Sequence, residues 1–222
     1  MVTILISGAG TGVGKTRVCA AFARAAFKQQ CSVQIIKPVQ TGVAPKEASD
    51  AEIAAKLAGL PSACAYTLRR YRAPLAPLAA AAKQRAELDI RKVIQEILAL
   101  PPVDLRLIEG AGGVAVPLGP RGWDWVDFAE EVGAKSVILV VADELGAINQ
   151  ARLVCHYVQG NSQKKLTHQV FLNALRTPPR DVAASTRKAL EDVATPVSGE
   201  LAVNSMEPKF AGSVSVTKFF GL

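Results

Sequence analysis

The segment VTILISGAGTGVGKT, Val2 to Thr16, restricts the folds open to this chain more than any other. A β-rich apolar run passes directly into a loop with glycine at positions 8, 10, 12 and 14, and the loop ends in Gly14-Lys15-Thr16 at the start of a helical stretch. Strand, glycine loop, Gly-Lys-Thr and helix in that order make a phosphate-binding loop. The glycines let backbone N–H groups converge on phosphate oxygens, and the helix N-terminus beyond them favours negative charge. Lys15 is set to reach the terminal phosphates, and Thr16 to offer its hydroxyl to Mg2+. The spacing departs from the usual one. Five residues before Gly14 stands Ala9, and the glycine that opens the loop is Gly8, one residue earlier.

The rest of the chain agrees with an α/β fold. Apolar runs at 2–7, 32–38, 105–110 and 136–142, with a weaker fifth at 168–175, predict strands. Helical stretches at about 15–29, 50–59, 89–99, 124–132, 146–159 and 180–193 lie between them. This alternation predicts a parallel sheet with helices on both faces, like that of P-loop NTPases, and near-continuous apolarity fits strands buried on both sides. No repeat, low-complexity tract or linker interrupts the chain, so residues 1–222 read as a single domain. RYRAPLAP at 70–77 and TPPRD at 177–181 read as ordered loops.

Half of the residues are hydrophobic, enough for a sizeable core, yet no apolar run reaches the length of a membrane span and no basic region precedes the first strand. A cytoplasmic location is expected. Cys19, Cys31, Cys64 and Cys155 are widely spaced, which predicts reduced, mostly buried thiols rather than disulfides or a metal site. His156 and His168 are isolated and read as surface or core residues. The formal charge of +7 attracts anions. The basic residues are scattered, without an aromatic-basic stripe or recognition helix, so small anionic substrates are expected rather than nucleic acid or membrane.

In open parallel sheets ligands bind at the carboxyl ends of strands, and here four strands end in residues suited to chemistry. The first enters the glycine loop; the second enters KPVQTG, Lys37 to Gly42; the third enters EGAGG, Glu109 to Gly113; the fourth enters ADELGAIN, Ala142 to Asn149. A lysine ending a buried strand at Lys37 is costly unless an anion pairs with it, so it reads either as a second cation at the reacting phosphate or as a side chain reaching out to water. Thr41 and Gly42 follow as a turn able to donate hydrogen bonds. Asp50, taken alone, reads as a helix cap or first-turn acid. Glu109 after so apolar a run needs a partner, and Thr16, Asp50 and Glu109 together offer oxygens for one Mg2+.

The set GAGTGVGKT, KPVQTG, SDA, EGAGGVAVPL, LGAIN and GEL resembles the dethiobiotin synthetase family, over nearly the whole chain and most strongly from 4 to 118. That family has five residues between the first glycine and Gly-Lys-Thr, as Gly8 and Gly14 have here. The resemblance implies a seven-stranded parallel sheet and a homodimer that makes a cyclic urea from 7,8-diaminononanoate, CO2 or bicarbonate, and MgATP. It implies that Lys15 and Lys37 are catalytic and neutralise the γ-phosphoryl group and a substrate carbamate, with Lys37 the marked active-site residue. Thr16, Asp50 and Glu109 would hold Mg2+, with ATP as co-substrate. Gly12, Val13, Gly14, Lys15, Thr16 and Arg17, with Asp50 and with Glu109, Gly110, Ala111 and Gly112, would line the nucleotide. Asn173 would face adenine, with Ala202, Val203 and Asn204 near it. Thr41 would contact substrate, and Leu145, Gly146, Ala147, Ile148 and Asn149 would open a helix that takes the substrate carboxylate across the dimer interface.

The family pattern is not matched everywhere. Ala9 and Gly10 replace a threonine and an aspartate, Leu78 follows Pro77 where a histidine is common, and Gly199-Glu200-Leu201-Ala202 replaces GEIP. The alternative is a partitioning or septum-positioning switch ATPase binding DNA or membrane, which the positive charge suits. Those proteins carry a lysine near the start of the loop, where this chain has Gly10 and Thr11. Cobalamin-related amidases need a further glutaminase domain for which 222 residues leave no room. A catalytically dead relative is at odds with the presence of Lys15, Thr16, Lys37, Asp50 and Glu109 together.

Overall fold

The computed structural model describes residues 1–195 and 197–222. In chain order it contains β1 (Val2–Gly8), α1 (Lys15–Lys28), β2 (Val33–Thr41), α2 (Asp50–Ala58), β3 (Ala65–Tyr71), α3 (Pro77–Lys83), α4 (Ile90–Leu98) and β4 (Leu105–Glu109). There follow α5 (Trp125–Glu131), β5 (Ser136–Ala142), α6 (Ala147–Asn161), β6 (Thr167–Asn173), α7 (Arg180–Asp192), β7 (Val197–Leu201), β8 (Lys209–Phe210) and α8 (Val216–Phe220). All strands join one sheet in the order β3-β2-β4-β1-β5-β6-β7-β8, parallel except for the β7–β8 pair. The sheet thus has the seven parallel strands expected, plus a two-residue antiparallel edge.

Alternate residues of each strand face opposite layers. Along β5, Val137, Leu139 and Val141 join one core with α3 to α6, while Ile138, Val140 and Ala142 join a second core with α1, α2 and α8. Helix α4 illustrates the fit of sequence to layer. Asp89 caps it by accepting from Lys92 N–H at 3.0 Å, and Ile90, Val93, Ile94 and Ile97 form a single buried stripe. Each such side chain contributes about 1.5–3 kcal/mol by burial. On the other face Phe22 packs edge-on to Phe171 at 4.9 Å between ring centroids, and Phe210 stacks on Phe219 at 4.3 Å. Helix α8 therefore packs inward, and no helix among the described residues is long and apolar enough to cross a membrane.

Several sequence expectations are corrected. β3 begins before the RYRAPLAP stretch and includes its Arg70 and Tyr71, and α3 begins at its last residue, Pro77. β3 escapes an apolar-run criterion because it is an edge strand, only partly buried along Ala65–Arg70. β7 is likewise short and carries Gly199 and Glu200, and β8 has only two residues. Arg180 and Asp181 of TPPRD lie in α7 rather than in a loop. β2 does not end at Lys37 but runs through Pro38 to Thr41. Its ladder with β4 stops at Ile36, so Pro38, lacking an N–H, sits where β2 has a neighbour only in the edge strand β3. All the cysteines are free, but only Cys19 and Cys155 are buried, while Cys31 and Cys64 are partly exposed.

Arg106 of β4 is buried at the sheet end remote from the glycine loop. Its guanidinium donates to Gln34 Oε1 at 3.0 Å and to the carbonyls of Ile97, Leu100 and Pro101 at 3.0, 3.2 and 3.1 Å. It thereby closes the C-terminus of α4, where helix carbonyls lack partners and a cation is favoured. Arg106→Met removes all four bonds and leaves Gln34 Oε1 buried without this donor, and is expected to cost about 3 kcal/mol, read as a lower urea midpoint. An unchanged midpoint would show that the cap carries no stability.

Candidate active site

The loop after β1 is held at both ends by close approach. A Cβ on Gly8 would come within 2.6 Å of the Val140 carbonyl, so only glycine lets the loop start against β5, where Ala9 N–H donates to the same oxygen at 3.1 Å. Gly14 caps α1 in the left-handed region (φ 87°), and a Cβ there would lie 2.1 Å from Asn173 Nδ2. No side chain caps α1 and its first turn holds no acid. Its leading N–H groups face the loop as a seat for an anion. Lys15 is buried, and its Nζ donates to the Gly10 carbonyl at 2.7 Å.

Lys37 reaches the same place from β2. Ile36 pairs with Ile108 in the β2–β4 ladder, so Lys37 and Glu109, the next residues, lie side by side. Lys37 Nζ stands 2.6 Å from Asp50 Oδ2, 2.8 Å from Glu109 Oε1 and 3.2 Å from the Gly110 carbonyl. All three ammonium protons thus have acceptors, and the reading of Lys37 as a side chain reaching out to water is excluded. Burial acts to lower the Lys37 ammonium, but Glu109 and Asp50 outweigh it and hold it above its ordinary value. Asp50 is delivered by α2, whose cap is Ser49 in a reciprocal capping box with Glu52. Asp50 N–H also donates to Gln40 Oε1 at 2.8 Å, which ties the head of α2 to β2.

Thr16 Oγ1 donates to Glu109 Oε1 at 2.9 Å, so the hydroxyl and both carboxylates meet at one point. Glu109 Oε2 is buried and has no hydrogen-bond partner among the described residues. An orphaned carboxylate oxygen beside a second carboxylate and a hydroxyl suits a hard cation such as Mg2+, which takes one or two carboxylates and fills its remaining positions with water and phosphate. No cluster of three or more His, Cys, Asp or Glu suited to a metal occurs among the described residues. These oxygens therefore fit a shared ion rather than an all-protein cage.

These groups form the floor of a cavity of about 690 Å³, within the range of small-molecule sites. Gly12, Gly14, Lys15, Thr16, Lys37, Thr41, Asp50, Glu109, Ala111 and Gly112 all line it, as the sequence predicts. The cavity also has an apolar lining, Val43, Ile53, Pro74, Leu75, Pro77 and Val116, which sequence reading missed. It comes from segments distant in the chain, so no local pattern marks it. The Glu109–Gly113 turn is held by Trp125, whose Nε1 donates to the Ala111 carbonyl at 3.0 Å.

The remaining predicted residues lie outside this cavity. Asn173, fully buried at the end of β6, donates through Nδ2 to the Val13 carbonyl at 2.9 Å and accepts from Arg17 Nη1 at 2.7 Å. Both ends of its amide are thus engaged by the glycine-loop segment. Ala202, Val203 and Asn204 form the turn after β7, where the Ala202 carbonyl accepts from Arg17 Nη2. Leu145 to Asn149 span the exposed N-terminus of α6, which Gly146 caps without a side chain; Leu145 is 89% exposed.

A family model described as an AAA domain matches residues 2–205. The ATP-dependent dethiobiotin synthetase BioD of Mycobacterium bovis is 39% identical over 197 residues, covering 88% of this chain and 84% of that protein. The protein of the same name from Mycobacteroides abscessus is 33% identical over 233 residues, covering 96% and 99%. Among solved structures, a ParA family ATPase from Chlorobium tepidum superposes with a TM-score of 0.57 at 14% identity, covering 91% of this chain and 84% of that one. At that identity the likeness is one of fold alone.

Burial, with Lys37 as the next cause, lowers the Lys15 ammonium to about 8. A bound phosphate stabilises the charged form and raises the value again. Triphosphate binding at about pH 9 is therefore expected to take up a proton. The contribution of this group to affinity is constant below about pH 8 and falls up to about tenfold per pH unit above it. Calorimetry in buffers of different ionisation enthalpy reads the uptake directly; proton release at pH 9 would contradict it.

Proposed function

The chain belongs to the ATP-dependent dethiobiotin synthetase family, and from that premise we propose that it closes the ureido ring of dethiobiotin from 7,8-diaminononanoate, CO2 and MgATP, releasing ADP and phosphate. The observation that carries this reading is the buried Lys37 ammonium, held between Asp50 and Glu109 on the floor of a cavity lined by a phosphate loop and by apolar side chains. A substrate with a long methylene chain and an end that becomes anionic needs both surfaces.

In the proposed reaction one amine of the substrate combines with CO2 to give a carbamate. A carbamate oxygen attacks the γ-phosphorus, the bond to the β–γ bridging oxygen breaks, and ADP leaves. The second amine attacks the carbonyl of the mixed anhydride, phosphate departs with the C–O electron pair, and the ring closes. Lys15 and Lys37 act by position and charge: Lys15 on the terminal phosphates, Lys37 between carbamate and γ-phosphoryl group as charge develops there. Thr16, Asp50 and Glu109 would hold Mg2+, which would screen the phosphate charge. Gly12 to Arg17 and Glu109 to Gly112 line the nucleotide, and Thr41, at the cavity rim, contacts the substrate. Asn173 with Ala202 to Asn204 forms the base side.

The exposed N-terminus of α6 supports a dimer. The first turn of α6 has no side-chain cap, which leaves the Ile148 and Asn149 N–H groups suited to a carboxylate, and Leu145 and Leu153 present apolar surface at 89% and 61% exposure. In the dimer this helix takes the substrate carboxylate of the neighbouring protomer.

The reaction is tested by incubating the protein with MgATP, bicarbonate and 7,8-diaminononanoate. Mass spectrometry is expected to find the cyclic urea in step with diamine-dependent ADP; ADP release indifferent to the diamine would point to a switch ATPase instead. Lys37→Ala is expected to lower turnover by about 10³-fold or more while retaining part of the nucleotide affinity; near-normal turnover would remove Lys37 from the mechanism. Sedimentation is expected to give a dimer whose dissociation on dilution abolishes activity, and a fully active monomer would contradict the shared site.

A further inference from the structure

The cavity holds a carboxylate that the steps above leave without a task. Three acids line it: Asp50, Glu109 and Glu47. Asp50 and Glu109 are engaged by Lys37. Glu47 is exposed and has no ion-pair partner among the described residues. Its Oε2 accepts from the Ala44 N–H of its own turn at 3.0 Å, and its Oε1 accepts no hydrogen bond among the described residues. The glycine loop, Gly8 to Lys15, contains no acid. Glu47 is therefore the lining carboxylate left free to meet a cationic group of a ligand.

The segment that carries Glu47 is fastened at both ends. It joins the end of β2 to the head of α2. At its start Gly42 N–H donates to the Ala73 carbonyl at 3.1 Å, and Gly42 lies in the left-handed region (φ 75°), where a Cβ would come within 3.2 Å of the Pro74 side chain. At its far end Arg70 of β3 donates through Nη1 to the Glu47 carbonyl at 2.9 Å and through Nη2 to Glu52 Oε2 at 2.6 Å. The same Glu52 oxygen accepts from Ser49 N–H and Oγ at 2.7 and 2.8 Å, in the cap that delivers Asp50. One guanidinium thus ties the backbone of Glu47 to the head of α2, and its charge is matched by Glu52. The Glu47 side chain stays unpaired at the cavity.

A diamine brings positive charge to this cavity, where Lys15 and Lys37 repel it and the other two acids are taken by Lys37 or suited to a metal ion. Ring closure also needs a base, because the attacking nitrogen becomes cationic as it bonds to the anhydride carbonyl. We propose that Glu47 is a catalytic residue that binds the second amino group of the substrate and accepts its proton in the ring-closing step. The C–N bond forms, the proton passes from nitrogen to the Glu47 carboxylate, and the C–O bond to phosphate breaks with its electron pair on phosphate. Glu47, being exposed, returns the proton to water. This assignment deepens the proposed function and rests on it.

Glu47→Gln provides the test, since it removes the charge and the base while keeping an oxygen for the Ala44 N–H. Calorimetry with 7,8-diaminononanoate is expected to show the variant binding about tenfold more weakly than the wild type, the worth of one charge-assisted hydrogen bond. Its affinity for MgATP is expected to stay within about twofold. Cyclic urea formation is expected to fall about 10²-fold or more. Diamine-dependent ADP release falls less, because the anhydride still forms and is then lost to water, so ADP exceeds cyclic urea where the wild type makes them in step. Glu47→Asp, a shorter acid that keeps the charge and provides a second variant, is expected to recover part of the diamine affinity and of the coupling. Unchanged diamine affinity in Glu47→Gln, with ADP matched by cyclic urea, would overturn the proposal and leave the reaction standing. So would equal losses of ATP and diamine affinity, or a Glu47→Asp variant no better than Glu47→Gln. A wild type that binds the diamine through Glu47 but forms no cyclic urea would sink the reaction and the proton step, leaving the amine contact.

Discussion

The parallel register of β2, β4 and β1 is the constraint on which the site depends. Ile36 opposite Ile108 sets Lys37 beside Glu109, and Ile6 opposite Glu109 brings the glycine loop to the same edge. A one-residue slip would turn Lys37 and Glu109 to opposite faces of the sheet and leave both charges buried without partners. Breaking such a pair costs several kcal/mol, so the apolar ladder and the polar cluster enforce the same register. Asp50 arrives by a different route, on α2, and the bond from its N–H to Gln40 and the Ser49–Glu52 capping box fix that approach. Fold and chemistry thus rest on the same few contacts.

The cavity built on this register is divided in a way that matches the proposed reaction. Its floor collects two ammonium groups, two carboxylates and a hydroxyl, while the wall is aliphatic and proline-rich. Charge developing at a carbamate and a phosphoryl group would fall on the floor, where burial raises the strength of fixed charges. A methylene chain would lie on the wall, where only apolar area matters. Arg17 and Asn173 form a separate cluster outside the cavity, bonded to each other and, through Asn173, to the Val13 carbonyl of the loop.

How much was legible depends on how local each signal is. Strands β1, β2, β4, β5 and β6 and six of the helices were readable because each shows a continuous apolar run or a helical period within a single stretch. β3 was not, because an edge strand with Thr67, Arg69 and Arg70 lacks the apolar signature of a buried one. The floor residues were readable because each belongs to a short motif at a strand end. The apolar wall was not, because Val43, Ile53, Pro74 and Val116 are ordinary residues until folding gathers them. Arg17 was readable as a neighbour of the loop but not as a clamp, since its acceptors lie some 155 to 190 residues away and backbone carbonyls carry no residue identity.

The sequence by itself determined the layered α/β architecture, the phosphate loop and the chemical types meeting at one sheet edge, because periodicity and motif order are properties of neighbouring residues. The tertiary structure decided which charges pair, which oxygen stays unpartnered and where apolar surface faces the reacting groups. It also decided that a single guanidinium would join three segments. Those outcomes depend on distances between residues far apart in the chain, and only the strand register and helix packing set such distances.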